Sequence, residues 1–511
     1  MQALKKYSPF FISAALMYVV LVIIYPHLWY YVDPDGTSYL TISKRYAAGD
    51  YLKAINCFWS PLSCWLTAIF IKIGLAAIPA SIIVNSFAAL GCLFITQSFF
   101  IRFNIALRAQ WIFSVTLALF LCYAVYWQSF DDIWECFLLL ATLRIMLATS
   151  FKSNPALWVA SGIVGAIAYF AKAYSFPFFI LNTLCCVYFI CKDNKLQWLK
   201  ISFVAISVMA LCSFPWIYAI HYKYGKWMTS SAGPLNMAWF LIGHPYWRNG
   251  IGALLPPLYS DSPYYWEDPY IANGIFPHFW DSWHLAGKEF LRVGFNVYKL
   301  VYCLLQISVF IPVIGTVAVR ALWMKTKSPL INGQARILVI SCLLLPLGYL
   351  IATVETRYLW YLLPPSMVLG ALLIENLPAN KWKNVLIIAF PLSILIYPAL
   401  SMKKMYNEGI NEYKIATQLK QLNIHGTFTG MPKPGIDLQR MERIAYFSGV
   451  QFYTASKTDI TYSEVLREIR RYKINYYFTY DMTVPVDEQG KAFRKIDAGD
   501  IGQLNIFQVN P

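Results

Sequence analysis

Residues 32–62 read VDPDGTSYLTISKRYAAGDYLKAINCFWSPL. The stretch comes after an apolar run, VVLVIIY at 19–25, and places Asp33 and Asp35 where the chain leaves that run. Asp-Pro-Asp-Gly is a good turn sequence, so on its own it reads as a solvated helix end. The residues beyond Gly36 are not turn-like. Tyr39, Ile42 and Tyr46 recur at regular intervals before Gly49-Asp50, and Trp59-Ser60-Pro61-Leu62 close the stretch.

The rest of the chain supplies the setting. Of 511 residues, 58% are hydrophobic and 13% charged, against roughly a quarter charged in a soluble domain. Apolar runs recur, such as LNTLCCVYFI at 181–190 and NVLIIAFPLSILIYPAL at 384–400. About 20 such residues cross a bilayer as a helix, and helices satisfy their backbone polar groups there. The expectation is a polytopic α-helical membrane protein. The net charge of +16 points to basic loops on one membrane side rather than to nucleic acid. Lys5 and Lys6 precede a first run too long for a signal peptide, and no small-residue cleavage site comes after it. Most of the eleven cysteines lie in apolar runs and serve as small hydrophobes. No Cys/His metal spacing is present, so no metal site is expected. Cys57 and Cys64 are the one pair that an oxidising compartment can join.

The spans expected are 8–28, 80–101, 109–127, 133–150, 156–174, 176–191, 199–219, 297–319, 337–353, 358–375 and 384–401. Between them lie Arg102, Arg108, Lys152, Lys192, Lys195, Lys200, Arg320, Lys325, Lys327, Arg336, Lys381 and Lys383. About eleven spans place all of these in the cytoplasm in one alternation. That requires 61–77, PLSCWLTAIFIKIGLAA, to lie at the outer interface instead of crossing. A true span there, compensated by a lost one elsewhere, is the alternative. The outer face then receives the loop 29–79 with its interfacial helices, the acids Asp131, Asp132 and Glu135, a large aromatic loop at 220–296, the turn at 354–358 and the C-terminus. Residues 1–402 form the membrane domain. Residues 403–511, where charge rises and strand-like and helical runs alternate, form a small soluble α/β domain outside the cytoplasm. No nucleotide-binding fingerprint occurs in the chain.

With these features the sequence resembles the GT-C superfamily of membrane glycosyltransferases, which includes protein mannosyltransferases and the aminoarabinose transferases acting on lipid A. Asp35 precedes Tyr39 by four positions, as that family's acid precedes an aromatic on a surface helix of the first external loop. Ser60-Pro61-Leu62 stands where the family often has Pro-Pro-Leu. Asp131-Asp132 occupies the second acidic position. Ala171-Lys172-Ala173 matches a lysine near the outer end of the fifth span, with Ala where Thr is common. Phe214-Pro215-Trp216 and Glu355-Thr356-Arg357-Tyr358 match later motifs. The motifs are weak singly; their order covers the whole membrane region.

The resemblance implies an inverting transferase of the bacterial inner membrane, working on its outer face with a polyprenyl-phosphate sugar as donor. Asp35 is the expected general base and Asp33 its reserve. Lys172 and Arg357, with Tyr358, are expected at the donor phosphate. Tyr39, Asp131, Asp132, Glu267 and Asp268 are expected to orient donor or acceptor. Plainer roles compete: snorkelling for Lys172, pairing with Glu355 for Arg357, helix capping for Asp131 and Asp132, a turn for Glu267 and Asp268. The lipid phosphate can be met by Lys and Arg, so no cofactor is required, although paired acids can hold a divalent cation. The acceptor is left open among lipid A, another envelope polysaccharide such as O-antigen, and protein. A flippase or transporter of lipid-linked glycan and a non-catalytic glycan-binding protein are the competing functions. Against transport stand the lack of an internal repeat and the few ionisable residues in mid-span.

Overall fold

The computed structural model describes residues 2–127, 131–242, 252–271, 277–324, 328–330, 333–378, 381–431, 436–456, 460–480, 493–496 and 504–509. The basic residues Lys325 and Lys327 and parts of the large loop, 243–251 and 272–276, lie outside these.

The membrane unit is helical. Its elements are α1 (Gln2–Leu28), α2 (Pro34–Ala48), α3 (Tyr51–Ala54), α4 (Pro61–Lys72), α5 (Ala77–Arg102), α6 (Leu107–Tyr126), α7 (Asp131–Met146), α8 (Pro155–Ala171), α9 (Ser175–Ile190), α10 (Lys195–Tyr224) and α11 (Ala232–Ile242). After the large loop come α12 (Trp283–Ile307), α13 (Phe310–Met324), α14 (Ala335–Leu344), α15 (Pro346–Ile351), α16 (Leu363–Glu375) and α17 (Lys381–Met405). Among the described residues seven helices are long and apolar enough to cross a membrane, and shorter apolar helices stand beside them. At 12 residues α4 reaches about 18 Å, short of a bilayer core of about 30 Å. It packs against α2, α5 and α8.

Polar contacts sort the loops to two ends of the bundle. Arg102 Nε donates to Gln334 Oε1 (2.5 Å), Arg108 to Asn384 (3.3 Å), Gln197 to the Lys152 carbonyl (2.6 Å) and Lys383 Nζ to the Glu375 carbonyl (2.7 Å). Described basic loops thus gather at one end. The stretch 33–60, Lys223 and the residues around 261–268 gather at the other. The expected span 297–319 needs correction. Helix α12 starts at Trp283, and the chain breaks at Ser308 before α13. Ser308 leaves helical geometry (φ −169°) and bonds Ser393 at 2.6 Å. Before the break, Asn296 Nδ2 donates to the Leu350 carbonyl (2.8 Å) and Thr356 to Gln306 (2.5 Å), and Trp283–Ile307 is itself one of the seven long apolar helices.

The C-terminal unit has α18 (Ile410–Gln421), α19 (Ile436–Ser448) and α20 (Tyr462–Tyr472) with β2 (Thr427–Thr429), β3 (Gln451–Ala455), β4 (Tyr476–Thr479), β5 (Phe493–Lys495) and β6 (Asn505–Val509). A further strand, β1 (Leu254–Leu255), comes from the large loop. The sheet order is β1-β3-β2-β4-β6-β5, with β2 parallel to β3 and β4 and the other pairings antiparallel. Phe428, Phe452 and Phe478 stack through its middle.

This unit sits against the end of α1 and the start of α2. Asn407 N–H donates to the His27 carbonyl (2.9 Å), and Arg443 Nε to the Val32 carbonyl (2.7 Å). Gly409 makes the turn into α18 at φ +89°, and Tyr30's carbonyl oxygen overlaps the place a Cβ would take. Gly409→Ala therefore meets a left-handed backbone penalty of about 1–2 kcal/mol and a clash with main chain. The expected outcome is a loosened C-terminal unit, read as faster limited proteolysis of 403–511 in detergent. Unchanged proteolysis contradicts the docking.

Candidate active site

The opening Asp-Pro-Asp-Gly divides its two acids by position on α2. Asp33 is the N-cap: its Oδ1 accepts from Gly36 N–H at 2.6 Å, and Pro34 takes the first helical position, where its missing N–H costs nothing. Asp35 falls in the first turn, where the helix N-terminus favours a negative charge. The cap holds Asp33 to the helix end, and Asp35 lines a cavity of about 590 Å³. Tyr39, one turn on, lines it too. The Tyr39 ring sits edge-to-face on Trp59 at 5.1 Å, and burial pushes its hydroxyl well up, so it stays protonated.

Three other elements bring charge to the same cavity. Lys172 stands just past the last turn of α8, in extended conformation (φ −151°). Its ammonium donates to Asp132 and lies 3.6 Å from Asp131 and 3.8 Å from Glu135. These three acids sit at i, i+1 and i+4 of α7, on one face of its first turn. Arg357 occupies a 3₁₀ turn (Thr356–Leu362) before α16. It bridges Glu355 (2.8 Å) and Asp35 (3.1 Å), with Asp132 Oδ2 3.6 Å away. Tyr358 lies under Lys172, its ring centre 4.0 Å from Nζ, and stacks on Tyr349 at 4.9 Å. The Tyr349 hydroxyl donates to Glu135 at 3.1 Å. Asp35, Tyr39, Asp131, Lys172, Arg357 and Tyr358, six of the ten residues singled out from the sequence, line this one cavity. Asp132 joins it through Lys172, fully buried behind it. Two cations thus face Asp35, Asp131, Asp132, Glu135 and Glu355. Any anion entering the cavity has to take its hydrogen bonds from cations already engaged by carboxylates.

Glu267 and Asp268 lie elsewhere. Neither lines the cavity. Glu267 is paired with Arg45 of α2, which also holds Asp261 at 2.8 Å. Asp268 accepts from Lys223 (3.1 Å) and the Tyr224 hydroxyl (2.6 Å). The orienting role expected of these two gives way to a scaffold one: they clamp the large loop onto α2 and α10. The neighbouring Trp266 carbonyl accepts from Ser38 (3.1 Å) and Trp59 Nε1 (3.2 Å), which sets Tyr265 and Trp266 into the cavity wall. Arg45 and Glu267 are both buried, and breaking a buried pair from one side costs about 3–5 kcal/mol. Glu267→Ala is expected to lower thermal stability in detergent by that order; a shift under about 1 kcal/mol assigns the pair no structural weight.

Glu442 is not legible in the sequence. It comes from α19 of the C-terminal unit and, with Leu438 and Gln439, lines the cavity on that side. Glu135 carries a weak signal, its spacing from Asp131 on one helix face. Cys57 and Cys64 are separate free thiols, Cys57 Sγ bonding Ser231 at 3.3 Å.

No family model and no curated protein matches the sequence. Solved structures do resemble the fold. ArnT from Cupriavidus metallidurans bound to undecaprenyl phosphate aligns over 97% of this chain and 99% of that one, with 12% identity and a TM-score of 0.58. The apo form of the same protein aligns over 97% and 98%, with 12% identity and a TM-score of 0.57. At that coverage both the helical bundle and the C-terminal α/β unit are shared. The architecture is the fold of these ArnT structures.

Proposed function

We propose that this chain is a membrane glycosyltransferase that moves a sugar from a polyprenyl-phosphate donor to an envelope glycan, lipid or protein acceptor, with inversion. One observation carries the reading: Asp35 and the cations Lys172 and Arg357 converge in one cavity, beside the loop that opens on Asp-Pro-Asp-Gly. The likeness to a protein solved with undecaprenyl phosphate supports the choice of donor.

In the proposed reaction the donor phosphate docks on Lys172 and Arg357 over Tyr358. Arg357 turns from Asp35 to the phosphate, which frees the carboxylate. The acceptor oxygen or nitrogen attacks the anomeric carbon while Asp35 takes its proton. The bond from that carbon to the phosphate oxygen breaks, and the oxygen leaves with the electron pair, stabilised by the two cations. One displacement inverts the centre, with no covalent enzyme intermediate. Tyr39 and Asp131 line the path, and Asp132 holds Lys172. Neither nucleotide nor redox group enters these steps, and the cations fill the place a metal takes elsewhere.

The proposal sets the cavity outside the cytoplasm, because the basic loops gather at the opposite end of the bundle. Reporter fusions are expected to place residues 105 and 195 inside and residues 50, 260 and 450 outside; a cytoplasmic C-terminus overturns the arrangement. The function itself is tested by mass spectrometry of lipids co-purifying with the protein. A polyprenyl-phosphate sugar is expected, and its transfer to an acceptor in detergent. Transbilayer movement of the lipid without sugar transfer supports a flippase instead.

A further inference from the structure

We propose that Glu442 is the acceptor-side carboxyl of this site: the C-terminal unit supplies it to hydrogen-bond a hydroxylated, saccharide acceptor beside Asp35. The inference rests on the transferase reading and adds what that reading leaves open, the acceptor class.

The geometry is specific. Glu442 is 5% exposed, lines the cavity, and its Oε2 has no hydrogen-bond partner among the described residues. A buried carboxyl oxygen left without a partner costs free energy, so its place on a cavity wall points to a ligand. Its helix is held there. Arg443, the next residue, ties α19 to the Val32 carbonyl and to Glu408 (2.6 Å). Met441 and Ile444, on other faces of the helix, are buried in the hydrophobic core with the sheet's Phe428, Phe452 and Phe478. The cavity is also polarised. Lys172 and Arg357 serve the leaving group, with Asp35 beside Arg357. Glu442 interacts electrostatically with Asp35 and Asp33. The walls between are Trp239, Tyr265 and Trp266, flat amphipathic surfaces of the kind a sugar ring stacks on.

The protonation state suits a hydroxyl rather than an ammonium. Burial pushes the Glu442 carboxyl up to about 8; Arg443 opposes this, and Asp35 and Asp33 add to it. Tyr264 and Tyr265, which also face it, are pushed up by their own burial and stay neutral in that range. At neutral pH Glu442 is therefore an acid with a proton to donate. The donated hydrogen bond is present below about 8; as pH rises through it the carboxylate can only accept, and any partner that lacks a proton to offer is lost.

The test titrates the full chain in detergent with a panel of methyl hexopyranosides, with and without undecaprenyl phosphate, and reads binding by saturation-transfer NMR. Wild type is expected to bind at least one glycoside saturably. Glu442→Ala weakens it about fivefold, the worth of one hydrogen bond, and Glu442→Gln, which keeps a donor, stays within about twofold. Wild-type binding changes as pH rises through about 8, and the Gln variant lacks that component, against a background from the α7 carboxyls common to both. Equal binding by Glu442→Ala, matching pH profiles in wild type and Glu442→Gln, or no binding of any glycoside by wild type overturns the proposal. Undecaprenyl phosphate binding is read in parallel. If wild type fails to bind the lipid, the transferase reading falls, and the arm without lipid still decides Glu442.

Discussion

Asp35→Asn is expected to fold, insert and bind donor lipid, and to transfer sugar about 10²–10⁴-fold more slowly, the usual cost of losing a general base. Asparagine fills the same space in the first turn of α2 and leaves the Asp33 cap intact. Its amide oxygen still accepts from Arg357, 3.1 Å away in the wild type, but it cannot take a proton. Asp33→Asn is the matched control. Asparagine caps helices as well as aspartate, so this variant is expected to lose far less. The measurement is transfer from a polyprenyl-phosphate sugar in detergent at equal protein. An inactive Asp33→Asn beside an active Asp35→Asn moves the base by two residues. Full activity in both removes the loop from the chemistry.

Lys172→Ala is expected to fail twice. It removes a cation from the proposed phosphate site, a charge-assisted contact worth about 1.5–3 kcal/mol. It also leaves Asp132, whose side chain is fully buried, without its ammonium. Removing one partner of a buried pair costs about 3–5 kcal/mol. The two losses separate in the double variant Lys172→Ala/Asp132→Asn, where the most closely paired of the three acids is neutral. Thermal stability is expected to recover in part and undecaprenyl phosphate binding is not. Lys172→Arg rescues in part, because a guanidinium keeps the charge but not the compact geometry under which Tyr358 sits. Arg357→Ala is expected to weaken lipid binding by the same order. Normal lipid binding in both alanine variants makes these cations structural.

The parts of the fold set by local chemistry are readable from residues alone. Apolar runs give helices wherever they reach bilayer length, and Asp33-Pro34 gives a cap because Asp and Pro favour those two positions whatever the surroundings. Asp35, Lys172 and Arg357 stand out because each lies at the end of an apolar run, where a charge is conspicuous. The features that escape a reading of residues depend on distant partners. Ser308 breaks a helix with neither Pro nor Gly beside it, and its hydroxyl bonds Ser393 across the bundle. Strand β1 is two residues long and has no period. Glu267 and Asp268 read as a turn or a ligand site because Arg45 and Lys223 are far off in sequence. Glu442 lies in a stretch, LQRMERI, that reads as an ordinary solvated helix face. Its burial exists because another unit covers it.

The pairing of Leu254 with Ala455 sets an order on biosynthesis. The loop carrying β1 leaves the ribosome roughly 200 residues before its partner strand. At about 5–20 residues per second it waits about 10–40 s with an open edge. Closing so long a loop adds little free-energy cost, since that cost grows only with the logarithm of length; the delay is kinetic. The cavity wall from the C-terminal helix arrives in the same late step. A nascent chain that has already threaded its helices therefore holds Asp35, Lys172 and Arg357 but only part of the cavity's enclosure. Enclosure of the cavity thus waits on the residues from Leu438 to Ala455.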